Sequence, residues 1–217
     1  MNIKTKAEPD TLADKLRQLG NVSPKRILWK PRPGTATEKD VLKYLDAADK
    51  RLVELVDGVL VEKTLGTNEG HIGIVLGQFF LNFLDEHDLG SVYGADSPFR
   101  ILPNQVRLPD VCFASWKTLG GEMPGDSIAG VVPELVVEVL SKSNTKGEMN
   151  RKRRDYFLAG VREVWIIDPK TQTAEVYTSP EDKRSIGKDG ALSGGDLLPG
   201  FSLPLKKLFA RINRKRA

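Results

Sequence analysis

Two carboxylates stand inside apolar runs of this chain. Asp110 closes Leu108-Pro109-Asp110, and Glu138 interrupts Leu135-Val136-Val137-Glu138-Val139-Leu140. An acid in such a run is costly to bury without a cationic neighbour. A lone one is readily explained by a strand end or an arginine partner. Two acids in neighbouring strands each need compensation, and one hard cation with carboxylate and water ligands serves both. Lys152 follows in the next predicted helix. The chemistry suited to these residue types is metal-assisted hydrolysis of a phosphodiester. The carboxylates hold the cation, the cation polarises a phosphoryl oxygen and lowers the pKa of an attacking water, and a lysine stabilises the developing charge.

The elements that must position these groups follow from pattern. Residues 105–114 and 134–140 read as strands, with Asp110 in line with Val106, Leu108 and Cys112 on one face, and Glu138 in line with Val136 and Leu140. The second run is apolar on both faces apart from Glu138, as in a central, doubly covered strand. A helix over 147–159 stops before Gly160 and carries Met149, Tyr156 and Phe157 on one side. Both Lys152 and Arg153 flank that side, and the periodicity slightly favours Arg153. Each has an ordinary alternative as a snorkelling base with a solvated head.

Upstream, residues 51–56 and 59–63 are β-prone runs joined by Asp57-Gly58, a two-residue hairpin signal. Glu54 lies between Leu52 and Val56 on one strand face. It is a further candidate acid, or half of a cross-strand ion pair with Lys63 or a neighbour. Glu62 is a weaker candidate of the same kind. Residues 71–84 repeat apolar positions near 3.6 and form a helix with Gly90 as its stop; His71 begins it and serves packing or general-base work. Strands are expected over 91–101, 164–167 and 174–178, a polar loop over 180–195, and a packed closing segment over 198–209. Thr37 and Asp40 look like a helix cap, residues 11–19 like a short helix ended by Gly20, and Asn144-Thr145 with Ser141 and Ser143 like a second cap. This order calls for an α/β arrangement, a mixed sheet flanked by helices with an N-terminal β-hairpin addition. The expected organisation is an extension over 1–36, one domain over 37–210 and a basic tail over 211–217.

Composition narrows the function classes. The chain has 217 residues and a net charge of +4, sufficient for one domain with a substantial core. No run of about 18 apolar residues exists, so no membrane span is expected, and the first residues do not read as a secretory signal. Its single cysteine, Cys112, excludes a disulfide framework, suits a reducing cytoplasm and is best read as core. Basic residues gather at 142–154 and 206–216, where they either neutralise phosphates or form a solvated face and a free tail. There is no Gly-rich phosphate loop, no CxxC pair and no Gly-x-Ser-x-Gly elbow.

Taken together, several short pieces resemble the Uma-two family of inferred restriction endonucleases, a branch of the PD-(D/E)xK nuclease superfamily. They are Glu54-Leu55-Val56-Asp57-Gly58-Val59-Leu60-Val61-Glu62, Val106-Arg107-Leu108-Pro109-Asp110-Val111, Pro133-Glu134-Leu135-Val136-Val137-Glu138-Val139-Leu140-Ser141, Lys152, Tyr156-Phe157, Gly160-Val161, Val164-Trp165-Ile166-Ile167-Asp168-Pro169, Leu198-Pro199-Gly200-Phe201 and Leu208-Phe209. The resemblance covers about residues 23–209. It implies a restriction-endonuclease-like fold, a nucleic-acid substrate and a divalent cofactor, with Asp110 and Glu138 as the metal-binding acids and Glu54 and His71 at family positions. The superfamily motif places lysine two residues after the second acid, where this chain has Leu140. The Uma-two pattern places one four residues before the helix tyrosine, where this chain has Lys152, and that selects Lys152 over Arg153.

The expectation is a Mg2+- or Mn2+-dependent endonuclease acting on DNA, for which a homodimer would suit cleavage of both strands. Two other readings stay open: a non-cleaving nucleic-acid-binding or accessory protein on a nuclease fold, and a metal-dependent phosphoesterase of small substrates.

Overall fold

The Asp57-Gly58 pair turns the chain as its residues allow. Both have positive φ, 48° and 72°, and they join β1 (Val53–Val56) to β2 (Val59–Glu62) in antiparallel register. The computed structural model describes residues 11–64 and 66–213. Within it the hairpin is half of a larger unit. β1 also pairs with β5 (Gln105–Arg107), and β5 with β4 (Phe99–Leu102), giving an antiparallel sheet in the order β2-β1-β5-β4. α2 (Glu38–Leu45), opened by a capping box between Thr37 and Asp40, packs on one face of this sheet over Val53, Leu55, Leu60 and Val106.

The second sheet has the order β10-β9-β8-β7-β6-β3. Its strands are β3 (Gly90–Gly94), β6 (Val111–Ser115), β7 (Leu135–Val139), β8 (Glu163–Asp168), β9 (Thr173–Tyr177) and β10 (Lys183–Ile186). β7 and β8 run parallel and the other neighbours antiparallel. The sheet is therefore mixed, as expected. α3 (Thr67–Leu84) and α6 (Leu205–Ile212) cover one face, where Leu76, Phe80, Trp165 and Phe201 pack together. α5 (Lys146–Ala159) covers the other, meeting Cys112, Val136, Val164 and Ile166 through Met149 and Tyr156. Every residue of β7 is buried, the doubly covered strand its apolar run requires. At about 1.5–3 kcal/mol per large apolar side chain buried, these two faces supply most of the drive to form the sheet.

Several expectations need correction. The runs 91–101 and 105–114 are not single strands. Each breaks into two, and each crosses between the sheets: β3 and β6 belong to the larger one, β4 and β5 to the smaller. Asp110 therefore lies in the link just before β6, and its alignment with Val106 and Leu108 does not hold. Gly90 is not a helix stop. It starts β3, where a Cβ would sit 2.2 Å from the Ala114 carbonyl oxygen, so its missing side chain permits close strand approach. α3 begins at Thr67, which leaves His71 a turn inside it and exposed. Residues 180–195 carry β10 and β11 (Ala191–Ser193), and β11 pairs with β12 (Ser202–Pro204). A short helix, α4 (Trp116–Leu119), was not foreseen.

The N-terminal segment is built into the fold. α1 (Leu12–Gln18) is capped by Thr11. Leu28 donates its N–H to the Leu60 carbonyl and Ile27 bridges to Val61, extending the free edge of β2. Gly20, at φ 79°, crosses the start of α5 so closely that a Cβ would lie 2.5 Å from the Gly147 backbone. The final residues, 214–217 of the predicted tail, lie outside the described residues.

Candidate functional site

The two sheets diverge where the chain passes from β5 to β6, and Asp110 occupies that link. Val111 pairs with Val137, so Asp110 falls beside Glu138 on the next strand. Alternation sends Val111 and Val137 to the α3 face and leaves Asp110 and Glu138 on the face that α5 covers. One Asp110 oxygen accepts the Val139 N–H at 2.7 Å. The other lies 2.8 Å from the Lys63 ammonium, at the end of β2.

From above, α5 presents Lys152 and Tyr156 one turn apart. Lys152 Nζ donates to both Glu138 oxygens at 3.1 Å and stands 3.0 Å from Glu54 Oε1. The Tyr156 hydroxyl donates to Glu138 at 2.6 Å. Glu54 projects from β1 and is 1% exposed. It pairs with Arg107 of β5 at 2.9 Å, and Arg107 in turn reaches Asp155 of α5 at 2.6 Å. Arg151 closes the network onto Asp155 at 2.9 Å and Asp57 at 3.0 Å. Beside it, Arg26 meets Glu148 at 2.8 Å.

Asp110, Glu138, Lys152 and Glu54 are thus gathered in one network by a link, two strands and a helix. Asp110, Glu138, Lys152, Lys63 and Arg26 line a common cavity of about 10 Å³, room for about one water molecule. The other candidates are elsewhere. Glu62 pairs with Arg51 at 2.6 Å on a partly exposed face, and His71 points outward from α3. Arg153, which periodicity favoured, leaves α5 on another side and lies 4.3 Å from the Tyr177 ring centroid. Glu54 does not pair with Lys63. Lys63, Arg107 and Tyr156, with Arg26 and Glu69 on the cavity wall, are among the residues that reasoning from sequence does not place in the site; only the i, i+4 spacing of Lys152 and Tyr156 offers a signal.

Electrostatics follow from burial. Desolvation pushes the Glu54 carboxyl up, but Lys152, Arg107 and Lys63 outweigh it and hold the pKa at about 2. Desolvation raises Glu138 above the usual carboxylate range, with Lys152 opposing and the neighbouring Asp110 adding to the rise. Burial alone would lower Lys152, yet Glu138 and Glu54 raise it, so its ammonium is held firmly. Burial pushes the Cys112 thiol up, which fits core packing rather than a nucleophile.

The basic run at 151–154 is no solvated face. Arg151 and Lys152 are committed to buried acids and Arg153 to an aromatic ring, while Arg154 is exposed. A larger open groove of about 640 Å³ runs between α3 and β3 and ends at Asp110. Gly73, Gly77, Val92 and Tyr93 give it an apolar floor, Glu69, Asp96 and Asp110 line it as acids, and among the described residues no lysine or arginine does.

A metal ion fits the donor chemistry of the cavity in one specific way. Among the described residues no group of three or more His, Cys, Asp and Glu side chains is arranged to hold one. Asp110 and Glu138 are the buried carboxylates of the cavity, and the partly buried Glu69 of α3 also lines it. A hard cation that keeps several waters and shares phosphate oxygens needs no more than one or two.

Fold and site together define an α/β protein whose buried acid–lysine cluster sits where a mixed sheet parts from a smaller antiparallel one. The chain belongs to the Uma2 family, described as "Putative restriction endonuclease", whose profile matches residues 39–206. Among solved structures it resembles a crystal structure titled as a putative nuclease belonging to DUF820 from Anabaena variabilis ATCC 29413. The two share 17% identity with a TM-score of 0.69, over 81% of this chain and 98% of that one. That likeness bears on the fold. No curated protein matches the chain.

Proposed function

We propose that this protein is a divalent-metal-dependent endonuclease that hydrolyses phosphodiester bonds in DNA, with Mg2+ or Mn2+ as cofactor. The observation that carries the reading is the convergence of Asp110, Glu138 and Lys152 on one cavity from three separate elements. Membership of a family described as restriction endonucleases supports the same substrate class.

In this reading Asp110 and Glu138 hold the cation. A bound cation supplies a polarised phosphoryl oxygen and a water of lowered pKa. Lys152 opposes the burial that disfavours the charged form of Glu138 and stabilises charge that builds on the phosphate. Tyr156 fixes the Glu138 carboxylate through its hydroxyl. Glu54, ionised and paired with Arg107, sets the position of Lys152 and so acts on the reaction through it. Arg26 and Lys63 bring further positive charge to the cavity wall, and the groove that ends at Asp110, with its apolar floor and its acids Glu69 and Asp96, would receive sugar and base rather than phosphate.

A second reading rests on one feature of the same site. Both acids already have an ammonium partner, Lys63 for Asp110 and Lys152 for Glu138, an arrangement that also suits a nucleic-acid-binding protein that does not cleave. A plasmid-nicking assay with and without Mg2+, run beside Asp110→Asn, separates the two. Metal-dependent nicking lost in the variant is the expected result. Binding without products, indifferent to Mg2+, favours the second reading. Hydrolysis of a small phosphodiester with plasmid left intact points to a phosphoesterase.

A further inference from the structure

Lys63 has no part in the reading above beyond its charge, yet its surroundings are specific. It follows β2 directly, and its side chain is 6% exposed. Its ammonium has three acceptors within 3.3 Å: the Asp110 carboxylate at 2.8 Å, the Leu108 carbonyl at 2.6 Å and the Ala95 carbonyl at 3.3 Å. An ammonium has three N–H donors, so every one is used. Lys63 spans the parting of the sheets, tying the end of β2 to the link that carries Asp110.

Each of the two acids at the cavity already faces an ammonium, Asp110 that of Lys63 at 2.8 Å and Glu138 that of Lys152 at 3.1 Å. A dication between Asp110 and Glu138 would stand against both ammoniums in a buried site, and the repulsion is relieved when one of them moves aside. Lys152 bridges two carboxylates, whereas Lys63 binds one carboxylate and two neutral carbonyls. Lys63 thus gives up less by leaving. It also borders the small cavity and has a flexible four-carbon stem with which to turn aside.

We propose that Lys63 is a resident stand-in for the metal: its ammonium occupies the coordinating side of Asp110 in the metal-free protein, and a divalent ion binds by displacing it. The inference rests on the reading of Asp110 as a metal ligand. Lys63 is then a positioning residue for Asp110 and sets how tightly the ion is held before nucleic acid arrives.

Mn2+ binding to the full-length protein without nucleic acid, measured by the electron paramagnetic resonance of free Mn2+, tests this. Lys63→Met should bind Mn2+ at least about tenfold more tightly than wild type, because the competing charge is gone. Lys63→Arg should stay near wild type. Asp110→Asn should lose binding, and Lys63→Met with Asp110→Asn should show no tightening. Unchanged or weaker binding by Lys63→Met, with Asp110→Asn still losing it, overturns the displacement and leaves the metal site standing. Indifference of Mn2+ binding to Asp110→Asn overturns both. Should Lys63→Met fail to fold, amine labelling of wild-type Lys63 read by mass spectrometry replaces it. Labelling should rise several-fold with Mn2+ in wild type and not in Asp110→Asn, and labelling that Mn2+ leaves unchanged overturns the proposal.

Discussion

Lys152 stands between two carboxylates, 3.1 Å from Glu138 and 3.0 Å from Glu54. Its single ammonium thereby couples the β7 strand, the β1 hairpin and the α5 helix. The same contacts that make Lys152 a candidate for the reaction also make it a structural tie, and experiments on it must separate the two roles.

A double-mutant cycle does so. Lys152→Met removes the shared cation from two buried acids and should cost about 3–5 kcal/mol in urea unfolding. Combining it with Glu138→Gln should cost less than the sum of the single changes, by about 0.5–3 kcal/mol. Additive costs would mean that the two groups do not depend on one another.

The choice between neighbours on α5 is equally direct. Arg153→Ala should leave metal-dependent nicking at the wild-type rate and lower stability by about 1–2 kcal/mol, through loss of its contact with the Tyr177 ring. A fall in nicking as large as that of a Lys152 variant would reverse the assignment.

Asp110→Asn keeps the shape of the side chain and an oxygen for the Val139 N–H. It should lower metal-dependent nicking by about 10²-fold or more, while circular dichroism and the cooperative unfolding transition persist. Nicking at the wild-type rate would place the cation elsewhere.

Acid stability reports on Glu54. Its carboxyl titrates near 2 in the folded chain against 4.5 when unperturbed. The stability it contributes is fully present above pH 4.5 and is lost as pH falls towards 2, by up to about 3 kcal/mol. Glu138 has the opposite sign. Its raised pKa means that ionising it opposes folding as pH climbs above 4.5. Urea midpoints measured between pH 5 and pH 2 should therefore fall in wild type and fall less steeply in Glu54→Gln. Equal slopes would show that Glu54 carries no such charge linkage.

Much of this architecture was legible because it is local. Asp57-Gly58 prescribed a hairpin, Thr37 with Asp40 a helix start, and the unbroken apolar run around Glu138 a strand covered on both faces. The losses have physical causes too. The run 105–114 keeps its apolar alternation across a change of sheet, since Val106 and Leu108 are buried in one core and Val111 and Phe113 in another. β10 buries only Ile186 and exposes Lys183, Arg184 and Ser185, which leaves no period to detect.

The site divides in the same way. By itself the sequence determined that Asp110 and Glu138 needed positive partners, because a carboxylate in an apolar run cannot stay charged alone. Which cations supply them was decided only by tertiary structure. Lys63, Lys152 and Arg107 come from elements far apart along the chain, and an ion pair a few ångströms long depends on where two sheets part and how one helix crosses them.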